Sequence, residues 1–170
     1  MNPILEQWNH LTPTDAAQAI LPCNGSVAWA MGIAKARPLE TPEALFASAD
    51  KIWLALTPRD WQQAFDSHPR IGERKAKAAS EQSLQWSAGE QSAAATDARI
   101  QAALARANQE YERKFGRIFI VCASGKTATA MLGILNARLA NDPATELREA
   151  AEQQRQITQL RLRKWLNIAP

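Results

Sequence analysis

The sequence has few of the residue types from which metal sites and thiol chemistry are built. Its 170 residues include two cysteines, Cys23 and Cys122, and two histidines, His10 and His68. The cysteines are far apart and form no CxxC pair, which argues against a disulfide framework and against a zinc site and favours reduced thiols. Neither histidine has a second histidine four positions away, as helical zinc motifs do. We therefore expect no bound metal.

Long apolar runs and blocks of like charge are also missing. No run approaches the roughly 18 residues that a membrane span needs. The first residues, M-N-P-I-L-E-Q-W, lack the basic and apolar regions of a signal peptide, and the ending I-A-P is not a peroxisomal signal. The net charge is +3, and the basic residues alternate with acids or apolar positions. These absences predict a cytoplasmic protein with neither a nucleic-acid nor a membrane partner.

Helix-start signals, in contrast, are frequent. A capping side chain precedes a proline at Thr12, Thr41, Thr57 and Asp142, and an acid follows each within the first turn. These starts predict helices over residues 13–21, 42–56, 58–66 and 143–166. Apolar spacing or composition predicts further helices over residues 26–36, over residues 90–114 with a stop at Gly116, and after Gly125. Residues 67–89 are the least regular stretch and are predicted to be loop.

Residues 118–123 alone resemble a β-strand. A single strand has nothing to pair with, and its backbone groups would need other partners. The sequence therefore predicts an all-α fold: one domain over residues 1–170, built as a bundle of about seven to nine helices with no sheet.

The same apolar run ends in Gly-Lys-Thr, as nucleotide-binding P-loops do. That motif needs a second glycine five positions before Gly125, because backbone amides must curl around the phosphates. Ile120 is in that position, so the sequence argues against a nucleotide site. The simpler interpretation is that Gly125 and Lys126 begin a helix. The apolar residues before them would then leave backbone amides and carbonyls without secondary-structure partners.

Three polar residues are candidates for function, and each also has an ordinary structural interpretation. His68 precedes Pro69, which disfavours helical geometry at the histidine and can hold an imidazole in a bend. Glu90 opens the predicted Ala-rich helix, where the helix dipole alone would explain a carboxylate. Arg161 is either a solvated charge or, because Leu160 and Leu162 flank it, close to a buried surface. Cys122 is more simply a small apolar residue than a nucleophile, and His10 a surface or capping residue.

Taken together, these motifs resemble those of the 2-oxo-4-hydroxy-4-carboxy-5-ureidoimidazoline (OHCU) decarboxylase family. The resemblance rests on F-D-S-H-P-R-I-G at residues 65–72, S-x-x-E-Q at 87–91, Y-E-x-K-F-G-R-I-F-I-V-C-A at 111–123 and I-x-x-L-R-L at 157–162. It implies an all-helical, cofactor-free homodimeric carboxy-lyase of urate breakdown that yields (S)-allantoin. The implied catalytic residues are His68, Glu90 and Arg161. The implied substrate contacts are Pro69, Ser87, Ala88, Gly89, Glu90, Gln91, Phe119, Ile120, Val121, Cys122 and Ala123.

The implied chemistry suits these residue types. Loss of carbon dioxide leaves an electron pair that the ring can delocalise, so the protein needs to stabilise charge and deliver a proton to one face. An imidazole can manage that proton, and a guanidinium can hold a carboxylate bidentately. Arg70 and Glu73 are close enough to His68 in the chain to join such a site. The alternative is a non-catalytic helical module that binds a small molecule or a protein.

Overall fold

The computed structural model describes residues 2–71, 80–90 and 97–169, and within these ranges the chain is helical with no strand. A 3₁₀ turn, Leu21–Cys23, follows the second helix. The described part of the chain thus confirms the all-α prediction. The α-helices in chain order are α1 (Pro3–Asn9), α2 (Pro13–Ile20), α3 (Val27–Lys35), α4 (Pro42–Leu54), α5 (Pro58–Asp66), α6 (Glu81–Glu90), α7 (Ala98–Phe115), α8 (Ala128–Arg138) and α9 (Pro143–Trp165).

Side-chain caps set the helix starts. The hydroxyls of Thr12 and Thr41 accept hydrogen bonds from the third backbone amide of their helices, at 3.2 Å each. Such a cap satisfies an amide that has no partner inside the helix. Asn2 caps α1 in the same way, through the amides of Ile4 and Leu5 at 3.0 and 3.2 Å. The sequence prediction missed α1, although Asn2-Pro3 carries the same signal.

The predictions around residue 90 were wrong. Residues 81–89, predicted to be loop, form α6 together with Glu90. The hydroxyl of Ser80 accepts a hydrogen bond from the backbone amide of Ser83 at 3.1 Å. The Ala-rich helix, α7, begins at Ala98 and not at Glu90. Asp97 caps it, because its carboxylate accepts a hydrogen bond from the backbone amide of Arg99 at 2.8 Å. Composition indicates that a helix is present, whereas the cap decides where it begins.

One compact unit comprises residues 1–64 and 155–170. Three tryptophans, Trp8, Trp29 and Trp53, are almost fully buried in it. The indole N–H of Trp8 donates to the carbonyl of Ala16 at 2.8 Å, and that of Trp29 to the carbonyl of Ala49 at 3.2 Å. The large rings therefore fill this core without leaving their polar groups unpaired.

A second compact unit comprises residues 65–154. Here α7 packs against α8, and the rings of Phe115 and Phe119 lie 4.7 and 5.5 Å from that of Tyr111. The buried cluster around these rings also includes Leu104, Ala107, Val121, Ala123, Ala128, Met131 and Leu135. The assignment of residues 1–170 to one domain stays a prediction. None of the described helices combines the length and the apolar character that crossing a membrane requires.

Candidate active site

His68 lies in a bend immediately after α5. Its backbone amide donates to the carbonyl of Phe65 at 3.1 Å, and Pro69 follows, so the helix cannot continue. His68 is only 8% exposed. Its Nε2 atom lies 2.7 Å from the side-chain oxygen of Gln154, a fully buried residue of α9. The predicted catalytic histidine is thus held in a defined orientation inside the second unit.

Residues 119–123 form an irregular buried segment between α7 and α8. Phe119, Val121 and Ala123 belong to the core cluster of the second unit, whereas Ile120 and Cys122 are buried outside it. Alternation of this kind is typical of extended backbone, in which successive side chains point to opposite sides. The strand-like pattern in the sequence therefore reflects two-sided burial of a single extended segment.

Side chains bind several backbone groups of this segment. The carbonyl of Ile120 accepts from Nη1 of Arg138 at 2.6 Å, and the amide of Cys122 donates to Gln153 at 2.9 Å. The carbonyl of Cys122 accepts from Nζ of Lys126 at 2.8 Å. The expectation that these backbone groups lack secondary-structure partners and need others is therefore confirmed for Ile120 and Cys122, because long polar side chains bind them where a neighbouring strand would.

A buried network of ion pairs and hydrogen bonds contacts residues 119–123. Arg138, at the end of α8, pairs with the fully buried Glu146 of α9, and its guanidinium carbon lies 4.6 Å from the centre of the Phe119 ring. Glu146 also accepts a hydrogen bond from the hydroxyl of Tyr111 and, at 2.9 Å, one from the side-chain amide of Asn141. Burial, followed by the hydrogen bond to Glu146, raises the pKa of Tyr111. The Arg138 guanidinium that binds the Ile120 carbonyl is therefore held in place by the Glu146 carboxylate, which is itself hydrogen-bonded to Tyr111 and Asn141.

The buried face of α6 is polar. Ser83, Ser87 and Glu90 recur at helical spacing and are almost fully buried, with Glu90 8% exposed. Ala88 and Gly89 lie on the exposed face of the same helix. Polar side chains are seldom buried on a helix face without a specific role, so this face is a candidate part of a binding site.

Glu90 is not where the sequence prediction placed it. It ends α6 rather than opening the Ala-rich helix. Glu90 is therefore not in the first turn of a helix, so the favourable effect of the helix dipole on a carboxylate at the N-terminus does not account for this residue. Gln91, also predicted to contact substrate, lies outside the described residues.

Arg161 belongs to the first unit. It is fully buried on α9, and its Nη1 atom donates to the carbonyl of Pro22 at 3.3 Å. Burial raises the pKa of the neighbouring Cys23 thiol, and the charge of Arg161 partly offsets that effect. The prediction that Arg161 approaches a buried surface is confirmed, and a solvated charge is excluded.

Arg70, by contrast, points to the surface. It forms a bidentate ion pair with Glu112 of α7, in which its Nη2 atom lies 2.9 Å from the second carboxylate oxygen. The pair borders a cavity of about 310 Å³, whose other lining residues among those described are Ile71, Gln101, Ala105, Asn108 and Gln109. Arg70 therefore has a partner on α7. Glu73 lies outside the described residues.

Comparison with known proteins places this architecture in a family. A family model described as OHCU decarboxylase matches residues 9–163. The chain belongs to the OHCU decarboxylase family. It is 38% identical over 144 residues to a uric acid degradation bifunctional protein TTL of Arabidopsis thaliana, covering 84% of this chain and 44% of that protein. It is also 39% identical over 66 residues to an OHCU decarboxylase of Amia calva, covering 39% of this chain and 38% of that protein. The aligned part of the chain thus covers less than half the length of each of these curated relatives.

Two solved structures are similar to this OHCU decarboxylase family member. A crystal structure of an OHCU decarboxylase in the presence of (S)-allantoin superposes with a TM-score of 0.76 at 37% identity, covering 86% of this chain and 96% of that chain. A crystal structure of an (S)-allantoin synthase superposes with a TM-score of 0.70 at 19% identity, covering 97% and 53% of the two chains. The second likeness concerns the fold alone.

The structure joins two of the predicted site regions through residues that the sequence prediction missed. Consecutive glutamines of α9, Gln153 and Gln154, contact the amide of Cys122 and the ring of His68. In the sequence, E-Q-Q-R-Q is typical of a solvated helix face, and nothing local marks the two glutamines. Among the described residues, no group of three or more His, Cys, Asp or Glu side chains is placed to hold a metal ion.

Proposed function

We propose that this protein is a carboxy-lyase that decarboxylates OHCU and yields (S)-allantoin. The observation that carries the proposal is the buried His68 imidazole with its hydrogen bond to Gln154, in a chain that matches the OHCU decarboxylase family model over residues 9–163. A solved relative that covers most of the chain was crystallised with (S)-allantoin, which supports the choice of product.

The reaction needs charge stabilisation and one proton. The bond between a ring carbon and the carboxylate breaks, carbon dioxide leaves, and the electron pair is delocalised over the ring. One proton, added to a single face of the ring, completes the chiral product. His68 is the catalytic residue that manages this proton, because an imidazole exchanges protons near neutral pH and a buried one is shielded from bulk water.

Glu90 and Arg161 assist in this proposal. The Glu90 carboxylate, on the buried polar face of α6, orients a polar group of the substrate. Arg161 supplies a buried guanidinium that binds the substrate's negative charge. Contacts to the substrate come from Pro69, from Ser87, Ala88, Gly89, Glu90 and Gln91, and from Phe119, Ile120, Val121, Cys122 and Ala123.

A homodimer, a cytoplasmic location and a reaction without a cofactor are part of the same proposal. All three are supported by the family resemblance. Analytical ultracentrifugation of the purified chain tests the dimer: a single species of twice the chain mass is expected, and a monomer at micromolar concentration contradicts it.

The proposed activity is tested by following chiral product. OHCU is made fresh by enzymatic oxidation and hydrolysis of urate and is then incubated with or without the protein. Circular dichroism of the product should show (S)-allantoin forming much faster with the protein. Mixed enantiomers at the spontaneous rate would contradict the proposal and favour the alternative, a non-catalytic helical binding module.

A further inference from the structure

The contact between His68 and Gln154 determines which ring nitrogen carries the proton. The Nε2 atom of His68 faces the side-chain oxygen of Gln154 at 2.7 Å, and both side chains are buried. A carboxamide oxygen accepts hydrogen bonds and cannot donate them. Nε2 must therefore be protonated, and in the neutral ring Nδ1 then carries the lone pair.

We propose that Gln154 is a positioning residue that fixes the tautomer and orientation of His68; the catalytic meaning of this rests on the function proposed above. Because the Nε2–H group donates to Gln154, Nδ1 is the nitrogen that accepts the proton of the substrate's hydroxyl group and returns a proton to one face of the ring after carbon dioxide leaves. The buried hydrogen bond also prevents rotation of the imidazole about its side-chain bonds, so the lone pair keeps one direction.

The neighbouring glutamine makes the arrangement rigid. The side-chain oxygen of Gln153 accepts a hydrogen bond from the backbone amide of Cys122 at 2.9 Å. The side-chain nitrogen of Gln153 donates to Glu149 at 3.0 Å, and the two bonds together fix the orientation of the Gln153 carboxamide. Two consecutive side chains of α9 thus hold the His68 ring and the backbone of residues 119–123. One rigid helix sets the position of both.

Nitrogen NMR reads the tautomer directly and without substrate. The chain has only two histidines, so ¹⁵N-histidine labelling gives two sets of ring signals, and the variant His10→Ala assigns them. At a pH where the rings are neutral, His68 should show a protonated Nε2 and an unprotonated Nδ1. A wild-type His68 protonated at Nδ1, or a rapidly exchanging mixture of the two tautomers, overturns the proposal.

Variants test whether Gln154 is responsible. Gln154→Met keeps the length of the side chain but removes the acceptor, and it should give a tautomer mixture with kcat reduced about tenfold to a hundredfold and KM changed little. Gln154→Glu retains an acceptor oxygen and should restore the Nε2–H tautomer and part of kcat. The matched control is Gln159→Met, the same change on the same helix, which removes hydrogen bonds to Asp50 and Phe46 and should alter neither the tautomer nor kcat.

The outcomes separate this inference from the proposed function. Wild-type tautomer and wild-type kcat in folded Gln154→Met would overturn the role of Gln154 while leaving His68 as the catalytic residue. Absence of any OHCU turnover by the wild type would instead contradict the proposed function and remove the catalytic meaning of the tautomer, which the NMR spectrum still measures.

Discussion

The ring of His68 is fixed by Gln154, a residue 86 positions further along the chain, through a hydrogen bond of 2.7 Å. The bond joins the bend after α5 to the long helix α9 within the second unit. A buried imidazole with a committed Nε2–H is a common arrangement for a proton-transfer residue, because the partner decides which nitrogen remains basic. The candidate site is organised around this pair.

Glu90 provides the first prediction. Glu90→Gln keeps the shape of the side chain but removes its charge, and kcat/KM for OHCU should fall by at least about a hundredfold, the scale typical of positioned polar groups. The control is Glu81→Gln, at the exposed start of the same helix, for which steady-state rates should equal those of the wild type. Wild-type kinetics in Glu90→Gln would remove this residue from the site.

The sequence predicted most helix starts but not the helix α6 that carries Glu90. Thr12, Thr41 and Thr57 each precede a proline, so three helix starts were predicted within a residue. Ser80 lacks that proline, and α6 has no apolar stripe because its buried face is made of serines and Glu90. Periodicity of apolar residues cannot find a helix whose buried face is polar.

The supports of the site were hidden for a related reason. Arg138, Gln153 and Gln154 are common residues on solvated helix faces, and the site groups that they bind, the Ile120 carbonyl, the Cys122 amide and the His68 ring, are 18 to 86 positions away. Their roles arise from tertiary packing, which a single sequence does not display. His68 and residues 119–123 were predicted because their residue types are unusual for their local setting and because the family motifs contain them.

Arg161 provides the second prediction. Arg161→Ala should reduce kcat/KM by at least about a hundredfold, because the substrate's negative charge loses the buried guanidinium that is proposed to bind it with two hydrogen bonds. Arg161→Lys keeps the charge without the fork and should remain folded with a raised KM. Arg163→Ala is the control two residues away, where the guanidinium lies 4.4 Å from the Phe46 ring and its loss should leave turnover unchanged. Equal kinetics for Arg161→Lys and the wild type would contradict bidentate binding.

The buried network around Glu146 provides a stability prediction. Arg138→Met leaves the Glu146 carboxylate buried without its cation and should lower the free energy of unfolding by about 3–5 kcal/mol. Arg117→Met is the matched comparison: its Nε and Nη1 atoms are buried and have no hydrogen-bond partner among the described residues, so the free energy of unfolding should stay within about 1 kcal/mol of the wild type. Urea unfolding measures both, and equal losses for the two variants would refute the assignment.

Tyr111, the single tyrosine, allows a pH prediction. Burial and its bond to Glu146 raise the pKa of the phenol, so the folded state favours the neutral form. This contribution is fully present below the unfolded pKa of about 10 and is lost as pH rises through the higher folded value. Tyrosinate absorbance should therefore appear at higher pH in the native than in the denatured protein. Titration near pH 10 in the folded protein would contradict the buried network.

The most direct test of the account compares OHCU turnover by the wild type, His68→Ala and His10→Ala, with circular dichroism following (S)-allantoin. The wild type and His10→Ala should form the chiral product at equal rates, because His10 is an exposed residue at the end of α1. Folded His68→Ala should show only the spontaneous reaction and its mixed enantiomers. Wild-type rates of (S)-allantoin formation by folded His68→Ala would contradict the central claim that this imidazole carries the chemistry.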